Sequence, residues 1–224
     1  MYRPSTDWNP MQTQFREATR RPDSFQEAID LCFSLHAFVH RSSVTNDKRE
    51  TLADMVFDGL SDIDYTIMPT KRDVTVAWNL WHITRIEDLT MNLLVADGSQ
   101  VLDAKWQSRL GTEVTDTGNA MTDEKILSFS REVEPNVLWD YRAAVAQKSR
   151  EIVSSLSPAD LKRKFTAEQA NRILSEGGLT EHPDSIWLMD FWGKKTVAGI
   201  LLLPLTRHQA GHLNDCLSIK KKLK

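Results

Sequence analysis

The chain has 224 residues, of which 26% are charged, and its formal net charge at pH 7 is −3. This length is enough to bury a sizeable core, and the near-balanced charge argues against a nucleic-acid-binding surface. No apolar run is long enough to span a membrane, and the first residues lack the apolar segment of a signal peptide. The two cysteines lie far apart in helical patterns. We therefore expect a cytoplasmic protein that binds neither nucleic acids nor membranes.

Apolar residues recur at helical spacing along most of the chain, and no stretch alternates as a strand does. In chain order, the pattern predicts four long helices over residues 23–43, 73–96, 135–155 and 194–222. The second helix ends at Asp97-Gly98, a common C-terminal signal. Four long helices with shorter segments between them predict a single all-α domain over residues 1–224, built as a four-helix bundle.

Two stretches, residues 98–121 and 157–193, are too long and irregular to be simple connections. Such segments in compact domains are usually functional or mobile. We expect residues 98–121 and 179–193 to close over a small-molecule pocket, with apolar walls supplied by Trp106, Trp187 and Trp192. The alternative is that both segments pack on the far end of the bundle and only lengthen its core.

Two histidines on the last predicted helix, His208 and His212, stand four residues apart and share one helix face. Imidazoles so placed can bind one metal ion at roughly 2.0–2.1 Å each. His82, on the apolar face of the second long helix, is the best-placed third ligand. Three histidines with an open fourth position are typical of a catalytic metal site. The alternatives are a hydrogen-bonded histidine pair at the helix surface and a satisfied core histidine at position 82.

Three further histidines have less informative settings. His36 and His40 are also four residues apart, on the first long helix, and we interpret them as packed and hydrogen-bonded, with a place near the pocket left open. His182 precedes Pro183 and is expected at the surface. The sequence singles out no general base, and the candidates are Glu87, Asp88, Tyr141 and Asp215.

The segments Trp78-Asn-Leu-Trp-His82 and His208-Gln-Ala-Gly-His212 make the chain resemble the DinB/YfiT-like metalloenzyme superfamily. That superfamily includes the N-terminal domains of mycothiol-dependent maleylpyruvate isomerases. The resemblance implies a DinB-like up-down-down-up bundle in which His82, His208 and His212 bind a divalent metal ion. Imidazole ligands suit zinc or nickel, and also iron or copper. This chain differs from a minimal member by the insertions near 98–121 and 157–193.

For function, the resemblance implies a metal-dependent enzyme that acts on a small molecule. It would be a thiol S-transferase using a low-molecular-weight thiol, or a hydrolase. The alternatives are a non-catalytic bundle with a structural or sensing metal, and a bundle without metal. The chain also has seven tryptophans and eight phenylalanines, some of them clustered at 187–192. Aromatic residues outside the core stripes predict a homodimer, unless they cap the end of the bundle.

Overall fold

The structure is a computed structural model and describes residues 4–223. Within that range it contains helices, turns and one isolated β-bridge between Lys164 and Thr196, but no strand, so the all-α prediction is confirmed. The helices are α1 (Asn9–Ala18), α2 (Phe25–Val39), α3 (Ser42–Thr45), α4 (Leu52–Phe57), α5 (Val76–Asp88), α6 (Ala104–Leu110), α7 (Asp123–Glu132), α8 (Pro135–Ser154), α9 (Ala167–Ser175), α10 (Pro183–Gly193), α11 (Val197–Leu202) and α12 (His208–Lys222).

The central helix of the fold is α5, and it packs against both α8 and α12. It begins where the Thr75 hydroxyl accepts a hydrogen bond from the backbone N–H of Trp78, an N-cap that satisfies one of the free amides of the first turn. A π-helical segment, Leu89–Val95, continues it. Because α5 is buried on nearly all sides, its polar residues need partners from other elements.

The last predicted helix, residues 194–222, is divided in the structure. A π-helical segment, Leu203–Arg207, separates α11 from α12. Pro204 explains the interruption, because its ring has no N–H to donate and clashes with the preceding turn. Near this interruption two backbone carbonyl groups accept hydrogen bonds from side chains: the Thr206 hydroxyl donates to Leu201 O at 2.9 Å, and Gln12 Nε2 donates to Leu202 O at 2.8 Å.

The two irregular stretches also contain helices. Residues 98–121 include α6, and residues 157–193 include α9 and α10. Among residues 4–223, none of the helices combines the length and the apolar character needed to cross a bilayer.

A buried ion pair fixes the 98–121 segment onto α5. Arg85 Nη1 donates to Asp88 Oδ2 at 2.8 Å, and the Tyr141 hydroxyl donates to the same oxygen at 2.6 Å. The two carboxylate oxygens of Asp88 also accept the backbone N–H groups of Val101 and Leu102 at 2.8 and 3.0 Å. Both charged side chains are fully buried, so each depends on the other for compensation.

We expect Asp88→Ala to lower the free energy of unfolding by about 3–5 kcal/mol, because Arg85 would stay buried without its counter-charge. Urea denaturation followed by circular dichroism measures the change. Asp140→Ala is the control: it removes the exposed pair that Asp140 forms with Arg109, and should cost less than about 1 kcal/mol. Equal losses in the two variants would contradict the assignment of Asp88 as a structural ion-pair partner.

Candidate metal centre

Three histidines from two helices meet at one point in the bundle. His82 lies on α5, and His208 and His212 lie on the first turns of α12. The ring centroids of His82 lie 5.1 Å from His208 and 4.7 Å from His212, and those of His208 and His212 are 4.5 Å apart. One ring nitrogen from each residue lies within 4.8 Å of the others. The structure thus brings together the three side chains that the sequence nominated as ligands.

Hydrogen bonds fix which nitrogen of two of these rings carries the proton. His82 Nδ1 lies 2.8 Å from the carbonyl oxygen of Thr117, so it must donate to that oxygen. His212 Nδ1 lies 2.7 Å from Asn79 Oδ1, and Asn79 Nδ2 in turn donates to Thr75 O at 3.1 Å, which orients the amide. Neutral rings protonated at Nδ1 leave Nε2 with a free lone pair, the form in which histidine binds metals.

His208 completes the cluster with an unusual contact. Its Nε2 lies 3.1 Å from His212 Nε2, and its Nδ1 is buried without a hydrogen-bond partner among the described residues. Because His212 Nε2 has a lone pair, the two nitrogens repel unless a proton or a cation lies between them. In the metal-free protein His208 must therefore donate from Nε2, and a divalent cation would occupy the place of that proton between the two nitrogens.

Burial keeps all three imidazoles neutral. It lowers the pKa of His82 to about 4 and, with the nearby His82 ring contributing, that of His212 to about 3. The pKa of His208 is also held well below its ordinary value by burial, then by its two histidine neighbours. The lone pairs are consequently available at neutral pH. Three neutral imidazoles are a donor set that fits zinc, nickel, iron or copper.

A pocket of about 390 Å³ opens beside the cluster. The three histidines and Asn119 are its polar groups, and the remaining lining residues are apolar. Trp78 forms the wall next to the metal ligands: its ring stacks on His82 at a centroid distance of 4.6 Å and an interplanar angle of 9°, and its Nε1–H donates to Gly118 O at 3.1 Å. The other apolar walls are Ile86, Trp187, Leu188, Phe191, Trp192, Leu203 and Pro204.

The expected walls are only partly observed. Trp187 and Trp192, on α10, line the pocket as expected. The prediction for Trp106 is wrong: its ring packs 5.6 Å from that of Tyr141, with the guanidinium of Arg109 above it at 4.4 Å. The N-cap at Asp103 starts α6 in a phase that turns Trp106 toward α8. The 98–121 segment instead contributes Asn119 to the pocket and the carbonyl oxygen that orients His82.

None of the four candidate bases lies in the pocket. Asp88 and Tyr141 belong to the ion-pair network described above, and Glu87 lies in a separate buried cluster. Asp215 lies on α12 and is exposed at the surface. Partial burial of its carboxyl group, and then the charge of Asp73, raise its pKa. Among the described residues, no Asp or Glu lines the pocket. Helical spacing predicts how far along a helix each of these groups lies, but it does not predict which side chains surround the group.

The second histidine pair surrounds Glu87. The Nε2 atoms of His36 and His40 lie 2.8 and 3.1 Å from its two carboxylate oxygens, so the interpretation of packed, hydrogen-bonded histidines is confirmed. Gln209 Nε2 donates to the same carboxylate at 2.6 Å, and Arg142 donates to Gln209 Oε1 at 2.6 Å. These donor atoms could also hold a cation, yet hydrogen bonds already account for their proximity. The pair does not line the metal pocket.

Sequence reasoning missed the groups that orient the ligands. Asn79 gave a usable signal, since an amide on the inward face of a buried helix needs a partner. Thr117 gave none, because it acts through its backbone carbonyl. His182 is exposed as expected, and its Nδ1 accepts the N–H of Asp184 at the start of α10.

Comparison with known proteins gave one family match. A family model described as the DinB superfamily matches residues 46–216, a range that includes all three clustered histidines. Comparison with curated proteins gave no match. His36 and His40 both precede the matched range, so the match does not include these two residues of the Glu87 cluster.

The metal-free protein should lose stability as the pH falls below 6.5. Histidines of the unfolded chain are protonated in that range, whereas those of the folded cluster stay neutral because burial lowers their pKa. For His212 the loss should continue until the pH approaches about 3. Replacing it by Asn should flatten the dependence of the unfolding free energy on pH by up to about 1.4 kcal/mol per pH unit. Chelator-treated protein, denatured in urea at a series of pH values, gives both slopes. The exposed His182→Asn variant is the control, and a slope unchanged in His212→Asn would refute the buried neutral state.

Proposed function

This chain belongs to the DinB superfamily, and we propose that it is a metal-dependent enzyme whose active site is the His82, His208 and His212 cluster with its adjoining pocket. The observation that supports the proposal most strongly is the position of the cluster, at the polar end of an otherwise apolar pocket. Structural metal sites are closed by a fourth protein ligand. Among the described residues, no Cys, Asp or Glu joins these three histidines, so a coordination position is left for a substrate.

A divalent cation held by these three residues would supply Lewis acidity and lower the pKa of a bound thiol or water. The protein side chains around it have defined tasks. Thr117 and Asn79 hold His82 and His212 in the tautomer that ligates. Trp78 covers one face of His82 and helps to exclude water from the polar end of the pocket.

The pocket favours thiol S-transfer over hydrolysis. Hydrolysis commonly uses a carboxylate as general base, as in metalloproteases, and this pocket has no carboxylate among the described residues. A thiol needs less help, because a metal-coordinated thiol is deprotonated outright. We therefore propose that a low-molecular-weight thiol would bind at the open position and pass its proton to solvent water. Its sulfur would then form a bond to a carbon of a small, largely apolar electrophile and displace a leaving group, which departs into solvent with a proton from water. Tryptophan and phenylalanine walls suit such a substrate.

Metal content tests the first step of the proposal. Protein purified without a histidine tag should contain close to one divalent ion per cluster by mass spectrometry of the metal, with zinc or nickel expected first. His208→Gln should lose most of it, and Asn79→Ala should weaken metal affinity about 10–100-fold, because His212 would no longer be oriented. His182→Asn is the matched control and should retain metal. Wild-type levels of metal in His208→Gln would exclude this cluster as the site.

Turnover tests the second step. With a panel of low-molecular-weight thiols and an apolar electrophile, Trp187→Ala should raise KM about tenfold or more through lost apolar contact, with metal content unchanged. Ile63→Ala removes another exposed apolar side chain, one that is not part of the pocket lining, and should leave KM unchanged. Product formation that needs no thiol would reject S-transfer in favour of hydrolysis.

We also propose a homodimer, on the basis of exposed aromatic surface. Trp187 and Phe191 are 50% and 38% exposed, and their ring centroids lie 5.4 Å apart. Adjacent exposed aromatic rings are typical of interfaces as well as of pocket rims. Light scattering at micromolar concentration should give twice the chain mass of 25.6 kDa. A monomeric mass would contradict the dimer and leave the metal proposal intact.

A further inference from the structure

A second cleft, of about 480 Å³, lies between α1 and the segment that leads into α12. Three cationic side chains, Arg16, Lys195 and Arg207, line it, and no Asp or Glu is among its lining residues. The cleft therefore concentrates positive charge on one small concave surface. The same stretch of chain supplies the metal ligands, since Arg207 immediately precedes His208.

These three cations have no carboxylate within ion-pair distance among residues 4–223. Arg163 and Arg172 are neutralised by neighbouring carboxylates, while several other cations, these three included, are not. Lys195 is half-buried, which lowers the pKa of its amine, and its Nζ lies 3.9 Å from the centroid of the Phe191 ring. A cation placed over an aromatic ring keeps its full charge and can still bind an anion.

An unused acceptor lies in the same cleft. Gln12 Nε2 donates to Leu202 O at 2.8 Å, which fixes the amide, while Gln12 Oε1 is buried without a partner among the described residues. A buried carbonyl oxygen left unpaired costs free energy. The cleft thus offers positive charge for an oxyanion and, beside it, an acceptor for an N–H group.

The cleft and the metal pocket share a wall. Leu203 lines both cavities, and Lys195 packs on Phe191, which belongs to the lining of the metal pocket. We propose that the cleft is an anion-binding subsite, which holds a carboxylate or phosphate group of a molecule whose reacting end enters the metal pocket. Arg16, Lys195 and Arg207 bind the oxyanion, and Gln12 accepts an N–H of the same molecule. This assignment rests on the proposed function for the identity of the reacting end, but the anion site itself does not.

Calorimetric titration at low ionic strength tests the anion site directly, with inorganic phosphate and succinate as the two probes. Wild-type protein should bind at least one of them, and added salt should weaken the binding. The double variant Arg16→Gln/Arg207→Gln should bind at least about tenfold more weakly, because charge-assisted hydrogen bonds are lost. Tighter phosphate binding identifies a phosphate group, and tighter succinate binding a carboxylate.

The control is Lys105→Gln/Arg131→Gln, which removes the same total charge from two exposed positions outside the cleft. Its affinity should stay close to that of the wild type. Equal weakening in the two double variants, or no binding of either probe to the wild type, overturns the proposal. Circular dichroism melting of each variant excludes unfolding as the cause.

Two further measurements separate this proposal from the proposed function. His208→Gln should lose metal and still bind the anion, because the cleft contains no metal ligand. If turnover with an anionic thiol is found, Arg16→Gln should raise KM for that thiol and leave kcat and metal content unchanged. An unchanged KM would show that the cleft does not serve the active site.

Discussion

The fold depends on a buried carboxylate, that of Glu87, which joins the four main helices. It lies on α5 and accepts hydrogen bonds from His36 of α2, from His40 directly after that helix, and from Gln209 of α12. Arg142, on α8, donates to Gln209 and so completes the connection. Burial alone would raise the pKa of Glu87, but its charged form is favoured by His40 and His36, and the pKa lies well below its ordinary value. A charge so deeply buried is tolerated only with this full set of donors.

The Glu87 cluster also sets the orientation of the metal ligands. Gln209 is the neighbour of His208 in sequence, so its bond to Glu87 fixes the rotation of α12 about its axis. His82 lies on α5, as Glu87 does, and it meets His208 and His212 of α12. The two clusters use histidine in opposite ways. Around Glu87 the imidazole groups donate to carboxylate oxygens, whereas at His82, His208 and His212 the Nε2 atoms converge on one point, where a single proton of His208 separates two of them.

Periodicity predicted the four long helices and the faces that bring the three histidines together, because both depend on which positions are buried. The failures share a physical cause. Burial patterns do not reveal which polar side chains pair: Asp88 stands three residues after Arg85 on α5, but many such pairs are solvated, and only contacts with Tyr141 and the 98–121 segment bury this one. The break at Pro204 changes the helical phase before His208, and Trp106 takes its direction from the cap at Asp103. Whether a residue lines the pocket or acts as a base depends on the direction in which its side chain points. Such local changes of helical phase set that direction, and the spacing of apolar residues does not reveal them.

The unpartnered Nδ1 of His208 has a consequence for how the site would exchange its ion. His82 and His212 are already in the ligating tautomer, so loading requires only that the His208 proton move from Nε2 to Nδ1. No proton needs to leave the protein, and loading should be nearly independent of pH near neutrality. The moved proton then has no acceptor, a cost borne by that ligand alone. Of the three ligands, His208 would consequently hold the ion least strongly, so exchange of the ion would begin at this residue.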